Sequence, residues 1–199
     1  MDKIGIIVLA AGSSSRMGSP KQLLKWGETT LLAHVISVAK NTKATEVFVV
    51  LGANEDLIKK SIAVDANILS HNDWEQGLGS SIAFGVKKLQ KLGFDGILIV
   101  LADQPLVTDI YLNRLLKNFI KGGKKIIASR FSGSVGVPAI FSAEYYDELQ
   151  KLNTDYGAKH LIKSHFEDVC TLQADHLVID IDNIDAYKEI YKQQFGTSH

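Results

Sequence analysis

The chain has 199 residues, with 22 Lys and Arg against 22 Asp and Glu, so its formal net charge is zero. That length predicts one domain with a sizeable core, and the balanced charge offers neither a basic footprint for nucleic acid nor an acidic tail. A lone cysteine (Cys170) allows no internal disulfide, no Cys/His cluster has zinc-ligand spacing, and the N-terminal apolar run is too short to span a bilayer and lacks a cleavage pattern, so a soluble cytoplasmic protein is expected.

Short β-branched runs alternate with longer segments of helical period. This pattern predicts an α/β fold with a mostly parallel sheet and helices on both faces. The chain opens with a strand over Ile4–Ala10, then a helix over 30–41, a strand over Glu46–Leu51 and a helix over 55–62. Next come a strand at 66–69, a helix at 80–92, a strand over Gly96–Leu101 and a helix at 109–121. Strands at 125–128 and 138–141 and helices at 143–151 and 157–165 follow. Strands at 169–172 and 178–181 and a helix at 185–195 complete the order. In the first helix Leu31, Leu32, Val35, Ile36 and Ala39 share one apolar face. The run "GILIVLAD" (96–103) is apolar almost throughout, as a central strand covered on both faces should be. No repeat or linker divides the chain, so 1–199 reads as a single domain. "GSVGVP" (133–138) reads as an irregular connection, and the final "GTSH" as a frayed end.

Ligands in open α/β sheets bind beyond the carboxyl ends of the strands. Three segments rich in small residues follow predicted strand ends. The first is "LAAGSSSRMGSPKQLL" (9–24), where Gly12 and Gly18 permit close approach of the backbone to a ligand. Ser13, Ser14 and Ser15 add hydroxyls, and Arg16 and Lys21 add positive charge, which together suit a phosphate cradle. The loop is neither a Walker loop nor a dinucleotide fingerprint. A solvated surface turn is the alternative; the position after the first strand and the joint Arg16/Lys21 spacing favour the cradle.

The second segment, "HNDWEQGLGSS" (71–81), precedes a helix that Ser80 or Ser81 could cap. Trp74 beside Gly77 and Gly79 offers a flat wall with room for a ring, or else a core tryptophan at a glycine-rich helix entry. The third, "LADQP" (101–105), places Asp103 at the end of the central strand. There it could be a turn cap or, beside a phosphate cradle, a ligand for Mg²⁺. In "VIDIDNIDAY" (178–187) the period-two spacing puts Asp180 and Asp182 on one side while the chain remains a strand, or the acids belong to a solvated turn. "GVPAIF" (136–141) and "DYGAKHL" (155–161) remain, the latter with Gly157 opening a helix toward an anion and Lys159 adding charge or simply solvated. His34, His160, His165, His176 and His199 show no ligand spacing.

The opening loop resembles the signature of nucleotidyltransferases related to the molybdenum cofactor cytidylyltransferases, L-A-A-G-x-S-x-R-M-G-x-P-K-x-L-L, and matches it through Leu24. The resemblance implies a Rossmann-like, GT-A-like domain whose N-terminal part binds nucleotide and whose C-terminal part binds the acceptor. Leu9, Ala10, Ala11, Gly12, Ser13 and Ser14 would wrap the triphosphate, with Arg16 and Lys21 on its oxygens. Trp74, Gly77, Ser80 and Ser81 would enclose the nucleotide, while His71 and Asn72 stand where the family has Asn and Pro. Asp103 would hold Mg²⁺ and Asp182 would complete the metal site, although Asn183, Ile184 and Asp185 replace the usual Thr-Pro-Glu. Arg16, Lys21 and Asp103 would be catalytic. Pro138, Gly157 and Lys159 fall in the acceptor half, where Val137 replaces a residue that is often polar.

Ala11 resembles the CTP-using branch, since relatives that transfer GMP have Leu-Ala-Gly-Gly. The implied reaction moves CMP from CTP to the terminal phosphate of a molybdopterin-type cofactor and releases pyrophosphate. A molybdenum hydroxylase would receive the product. Such a phosphate is already ionised, so the chemistry needs positioning and charge neutralisation rather than a strong base. Two other readings stay open. One is a related transferase using GTP or another phosphorylated acceptor; the other is a protein that binds the mature cofactor without turnover.

Overall fold

Residues Ile4–Ala10 are buried along their whole length and form β1, flanked in the sheet by two parallel neighbours. The structure, a computed structural model, describes residues 2–14, 17–62, 66–153 and 157–196. A short hairpin of β2 (Lys25–Trp26) and β3 (Thr29–Thr30) leads into α1 (Leu31–Lys40). Then follow β4 (Glu46–Leu51), α2 (Glu55–Ser61), β5 (Asn67–Ser70), α3 (Leu78–Gln90), β6 (Gly96–Leu101) and α4 (Asp109–Ile120). The second half contains β7 (Ile126–Phe131), β8 (Ser134–Ser142), α5 (Tyr146–Leu149), α6 (Lys159–Ser164), β9 (Val169–Gln173) and α7 (Ile184–Phe195).

Seven strands form one sheet in the order β5-β4-β1-β6-β8-β7-β9, and β8 alone runs antiparallel to its neighbours. Alternate residues of the strands feed two cores. Ile6, Val8, Val49, Leu98 and Val100 pack with Leu32, Ile36, Leu112 and Leu115 on one face. Ile7, Leu9, Phe48, Val50, Ile97 and Ile99 pack with Ile82, Val86 and Leu89 on the other. A sheet covered on both faces explains why these strands read as continuous apolar runs. The register pairs Ala10 with Leu51 and Leu9 with Leu101, so β1, β4 and β6 end level. The segments that follow them leave from one edge. A third cluster, including Trp26, Leu31, Ile181, Tyr187 and Tyr191, seats α7 on the β2–β3 hairpin. Among the described residues no helix is long and apolar enough to cross a membrane.

Two expectations are corrected. The segment "GSVGVP" is not an irregular connection; from Ser134 onward it lies in β8, with a register shift opposite Ala128 and Ser129. Ser132 and Gly133 make a two-residue connection with φ of 46° and 71°, the left-handed pair that a tight hairpin of this twist needs. Residues 178–181, in contrast, join no strand of the sheet. The segment is held instead by the Ile181 amide, which donates to the Asp103 carbonyl at 2.9 Å, and by the buried Ile181 side chain. Smaller shifts occur elsewhere. Residues 143–151 divide into a 3-10 turn and the short α5, and α6 begins at Lys159 rather than Gly157. Of the terminal "GTSH", Gly196 closes α7 in the left-handed conformation, and 197–199 lie outside the described residues.

Helix α4 is fastened to the second half of the sheet through Tyr111. Its buried hydroxyl lies 2.8 Å from Ser129 Oγ and 3.2 Å from the Leu172 carbonyl, and Ser129 in turn donates to the Pro138 carbonyl at 2.6 Å. Tyr111→Phe should therefore lower stability by about 1 kcal/mol. Urea denaturation of the two proteins checks the value, and an unchanged midpoint would show that the link is unimportant.

Candidate active site

The loop beyond β1 is shaped by a buried residue that the sequence reading did not single out. Gln22 sits in a 3-10 turn, Lys21–Leu23, and is 2% exposed. Its Nε2 donates to the carbonyls of Ala10 at 2.9 Å and Gly12 at 2.8 Å. Its Oε1 accepts from Ser14 Oγ at 3.2 Å, and Ser14 Oγ accepts from the Lys21 amide at 3.0 Å. Because trans peptides are planar, carbonyls turned toward Gln22 aim the amides of Ala11 and Ser13 away from it. The signal in the sequence was a polar residue enclosed by Lys21, Leu23 and Leu24. Ser15 and Arg16 lie outside the described residues.

Lys21 joins this loop to the tip of β6. Its Nζ is 2.5 Å from Asp103 Oδ2 and 3.3 Å from the Ile181 carbonyl. An ammonium has three donors, so the group retains capacity toward an anion. Asp103 Oδ1 is buried and has no hydrogen-bond partner among the described residues. Gln104 follows, 3% exposed, and donates from Nε2 to Asp180 Oδ1 at 2.8 Å. The residue Asp180 is exposed as a whole, yet protein atoms crowd its carboxyl. That desolvation raises its pKa, helped by the charges of Asp103 and Asp182 and opposed by the Gln104 bond and Lys21. Asp182 is exposed. Asp180 thus stands near Asp103, Asp182 and Lys21, although 178–181 is not a strand.

Among the described residues no three His, Cys, Asp or Glu side chains form a ready-made metal cage. A hard cation such as Mg²⁺ or Mn²⁺ needs only one or two carboxylates when phosphate oxygens and water complete its shell. The orphaned Asp103 oxygen fits that demand.

The second loop reaches the same place from α3. The expected serine cap is absent: α3 begins at Leu78, and its N-cap is Gly77 with φ of 99° and no side-chain bond. Glycine makes that turn without a capping hydroxyl. Ser80 lies inside the first turn, where Oγ bonds back to the carbonyls of Gly77 at 3.0 Å and Asp73 at 3.3 Å. The same oxygen forms a hydrogen bond with His71 Nε2 at 3.0 Å. His71 is buried and stacked on Phe84, with ring centroids 4.6 Å apart. Burial lowers its pKa, against the charge of Asp73. Trp74 lies over Gly52, whose absent Cβ would fall 2.5 Å from Trp74 Cβ and Cγ.

These elements enclose a cavity of about 360 Å³, within the range of small-molecule sites. Leu9, Ala10, Ala11, Gly12, Ser13, Lys21, Trp74, Gly77, Ser81 and Asp103 line it, as do the unforeseen Gln22, Glu75, Leu78, Leu101 and Ala102. Ser14 and Ser80 support the walls through their hydrogen bonds. The acceptor-side residues stand outside the lining. Pro138 is buried in β8, Lys159 is exposed at the start of α6, and Gly157 packs where a Cβ would come within 2.9 Å of Leu78 Cδ2. Gly157 does not open α6, whose N-cap is Ala158. His34 is 3.0 Å from the Pro105 carbonyl and His165 2.8 Å from Glu148, both outside the cavity.

Residues 6–169 match the family model of the MobA-like NTP transferase domain. The chain is 30% identical over 170 residues to the purine catabolism protein PucB of Bacillus subtilis, covering 79% of this chain and 80% of PucB. The structure is similar to that of Rv0371c from Mycobacterium tuberculosis, with a TM-score of 0.86 and 30% identity, covering 96% and 98% of the two chains. A manganese complex of Rv0371c superposes with a TM-score of 0.81 at 28% identity, covering 96% and 98%. A nucleotidyl transferase from Methanothermobacter, Mth528, shares the fold with a TM-score of 0.81 at 20% identity, covering 97% and 98%.

The contact between Gly52 and Trp74 gives a direct test of the cavity wall. Gly52→Ala should push Trp74 from its place, costing about 1–3 kcal/mol. Urea unfolding of the two proteins measures the loss, and an unchanged midpoint would show that Trp74 does not depend on the missing Cβ.

Proposed function

Since this chain belongs to the MobA-like NTP transferase domain family and is a nucleotidyltransferase, we propose that it moves CMP from CTP to the terminal phosphate of a molybdopterin-type cofactor, releasing pyrophosphate. The observation that carries this reading is Lys21 lying against Asp103 in the cavity, with the second Asp103 oxygen buried and unpaired. A phosphate oxygen of the acceptor attacks the α-phosphorus, and the bond from that phosphorus to the bridging oxygen breaks as pyrophosphate leaves. The nucleophile is already ionised, so no general base is required. His71 is consistent with this, since its Nε2 is committed to Ser80.

The roles of the chain's own residues are positional and electrostatic. The loop from Leu9 to Ser14 and the helix start at Gly77 and Ser81 enclose the nucleotide, and Trp74 flanks it. Lys21, with Arg16 from the same loop, donates to phosphate oxygens. Asp103 and Asp182 would hold a divalent cation, Mg²⁺ in this reading, which when bound offsets charge on the α-phosphate and the leaving pyrophosphate. The manganese complex of Rv0371c supports a divalent cation.

Ala11 supports CTP through its resemblance to the CTP-using branch, and it lines the cavity. The N-terminal part then binds nucleotide, while Pro138, Gly157 and Lys159 belong to the acceptor half. Gly157 packing on Leu78 brings that half against the cavity wall. The product would pass to a molybdenum hydroxylase in the cytoplasm.

Thermal-shift measurements with CTP, GTP, ATP and UTP, each with Mg²⁺, should give the largest rise for CTP. Pyrophosphate should be released from CTP when the molybdopterin-type acceptor is supplied. A larger response to GTP, or turnover with sugar phosphates or phosphorylated alcohols instead, would replace the substrate assignment. Asp103→Ala should lower turnover more than about a hundredfold, the scale of removing a charge-stabilising group, while the melting temperature stays close to that of the parent. Full activity in that variant would refute the role of Asp103.

A further inference from the structure

Gln104 stands beside Asp103 in the turn that ends β6, is almost wholly buried, and does not line the nucleotide cavity. Its Nε2 donates to Asp180 Oδ1 at 2.8 Å, while its Oε1 is buried without a partner among the described residues. A buried amide oxygen with no donor is unfavourable. Packing alone would therefore prefer an apolar side chain here. Turning the amide over would set Oε1 against the Asp180 carboxylate, so that acid fixes the amide's orientation.

The segment that carries Asp180 and Asp182 has no strand partner to hold it. Among the described residues, its hydrogen bonds to the tip of β6 and to Lys21 are the Ile181 amide on the Asp103 carbonyl, Lys21 on the Ile181 carbonyl, and Gln104 on Asp180. Of these hydrogen bonds, the last holds a carboxylate of the segment itself. Like charges on Asp103, Asp180 and Asp182 repel, and a donor that holds Asp180 opposes their separation.

We propose that Gln104 is a positioning residue that keeps the 180–182 carboxylates beside Asp103, and that Asp180 thereby strengthens capture of the divalent cation that accompanies the nucleotide. This rests on the metal role of Asp103 in the proposed function. Partners that orient metal-binding carboxylates typically change metal affinity by about 10–100-fold.

Binding of Mn²⁺ to the full chain, followed by the electron paramagnetic resonance of the free ion with and without CTP, tests the idea without turnover. Gln104→Leu and Asp180→Asn should each raise the half-saturating Mn²⁺ concentration by about tenfold. The double variant should be no weaker than the worse single one, because both substitutions break the same link. In Gln104→Leu, kcat at saturating Mn²⁺ should stay within about threefold of the parent, placing the loss in metal binding. Parent-like Mn²⁺ affinity in both variants, with binding lost in Asp103→Ala, would overturn the inference and leave the role of Asp103 standing. Unchanged affinity in Asp103→Ala would overturn the reading beneath it. A lower melting temperature with unchanged Mn²⁺ affinity would mark Gln104 as merely structural and also overturn the proposal. If Gln104→Leu does not fold, Asp180→Asn, at an exposed position, decides the matter by the same measurement.

Discussion

The contact between the Lys21 ammonium and the Asp103 carboxylate links parts of the chain that are 82 residues apart in sequence. It ties the glycine loop beyond β1 to the tip of β6, and the same ammonium reaches the Ile181 carbonyl 160 residues away. The loop beyond β1, the tip of β6 and the segment at Ile181 therefore converge on one cation. Neither side chain is fully buried, so the pair keeps access to water and to incoming anions. A fully buried pair would carry a heavy desolvation cost and could not readily exchange partners with a phosphate. The half-open position leaves the ammonium within reach of a dissolved anion.

That convergence depends on sheet register. Parallel strands β1, β4 and β6 end level because Leu9 faces both Val50 and Leu101 across the ladder. A slip of one residue would turn the inward side chains to the opposite face and disrupt both cores. The cores thus hold the site in place, although they contribute little to its lining. Gln22 does the equivalent work locally: one buried amide fixes two carbonyls and a serine hydroxyl. His71 and Ser80 brace the second loop in a comparable way, stacked on Phe84 and bonded to the start of α3.

The second half of the sheet has a different logic. The tight hairpin at Ser132 and Gly133 reverses the chain, so β8 enters antiparallel between β6 and β7. Tyr111 then binds α4 to this region through Ser129 and Leu172. Gly157 meets Leu78 on the cavity wall, which packs the segment before α6 against the start of α3.

Much of this was legible in the residues alone. Continuous apolar runs marked β1, β4 and β6, and alternating helical segments marked a mostly parallel α/β sheet, because two-sided burial leaves a local trace. Glycine, serine, lysine and aspartate at strand ends marked the cavity, since close approach and charge need those side chains wherever they stand. What stayed hidden depended on distant partners. Residues 178–181 alternate like a strand, yet Ile181 is held by the backbone of Asp103 rather than by a ladder. Gln22 and Gln104 look unremarkable in sequence, because an amide acquires a role only from the carbonyls and carboxylates that tertiary packing brings to it. Local chemistry therefore determined which residue types could bind and where strands would end. Tertiary structure alone decided which of those groups meet, because hydrogen bonds and ion pairs depend on distances that sequence separation does not encode.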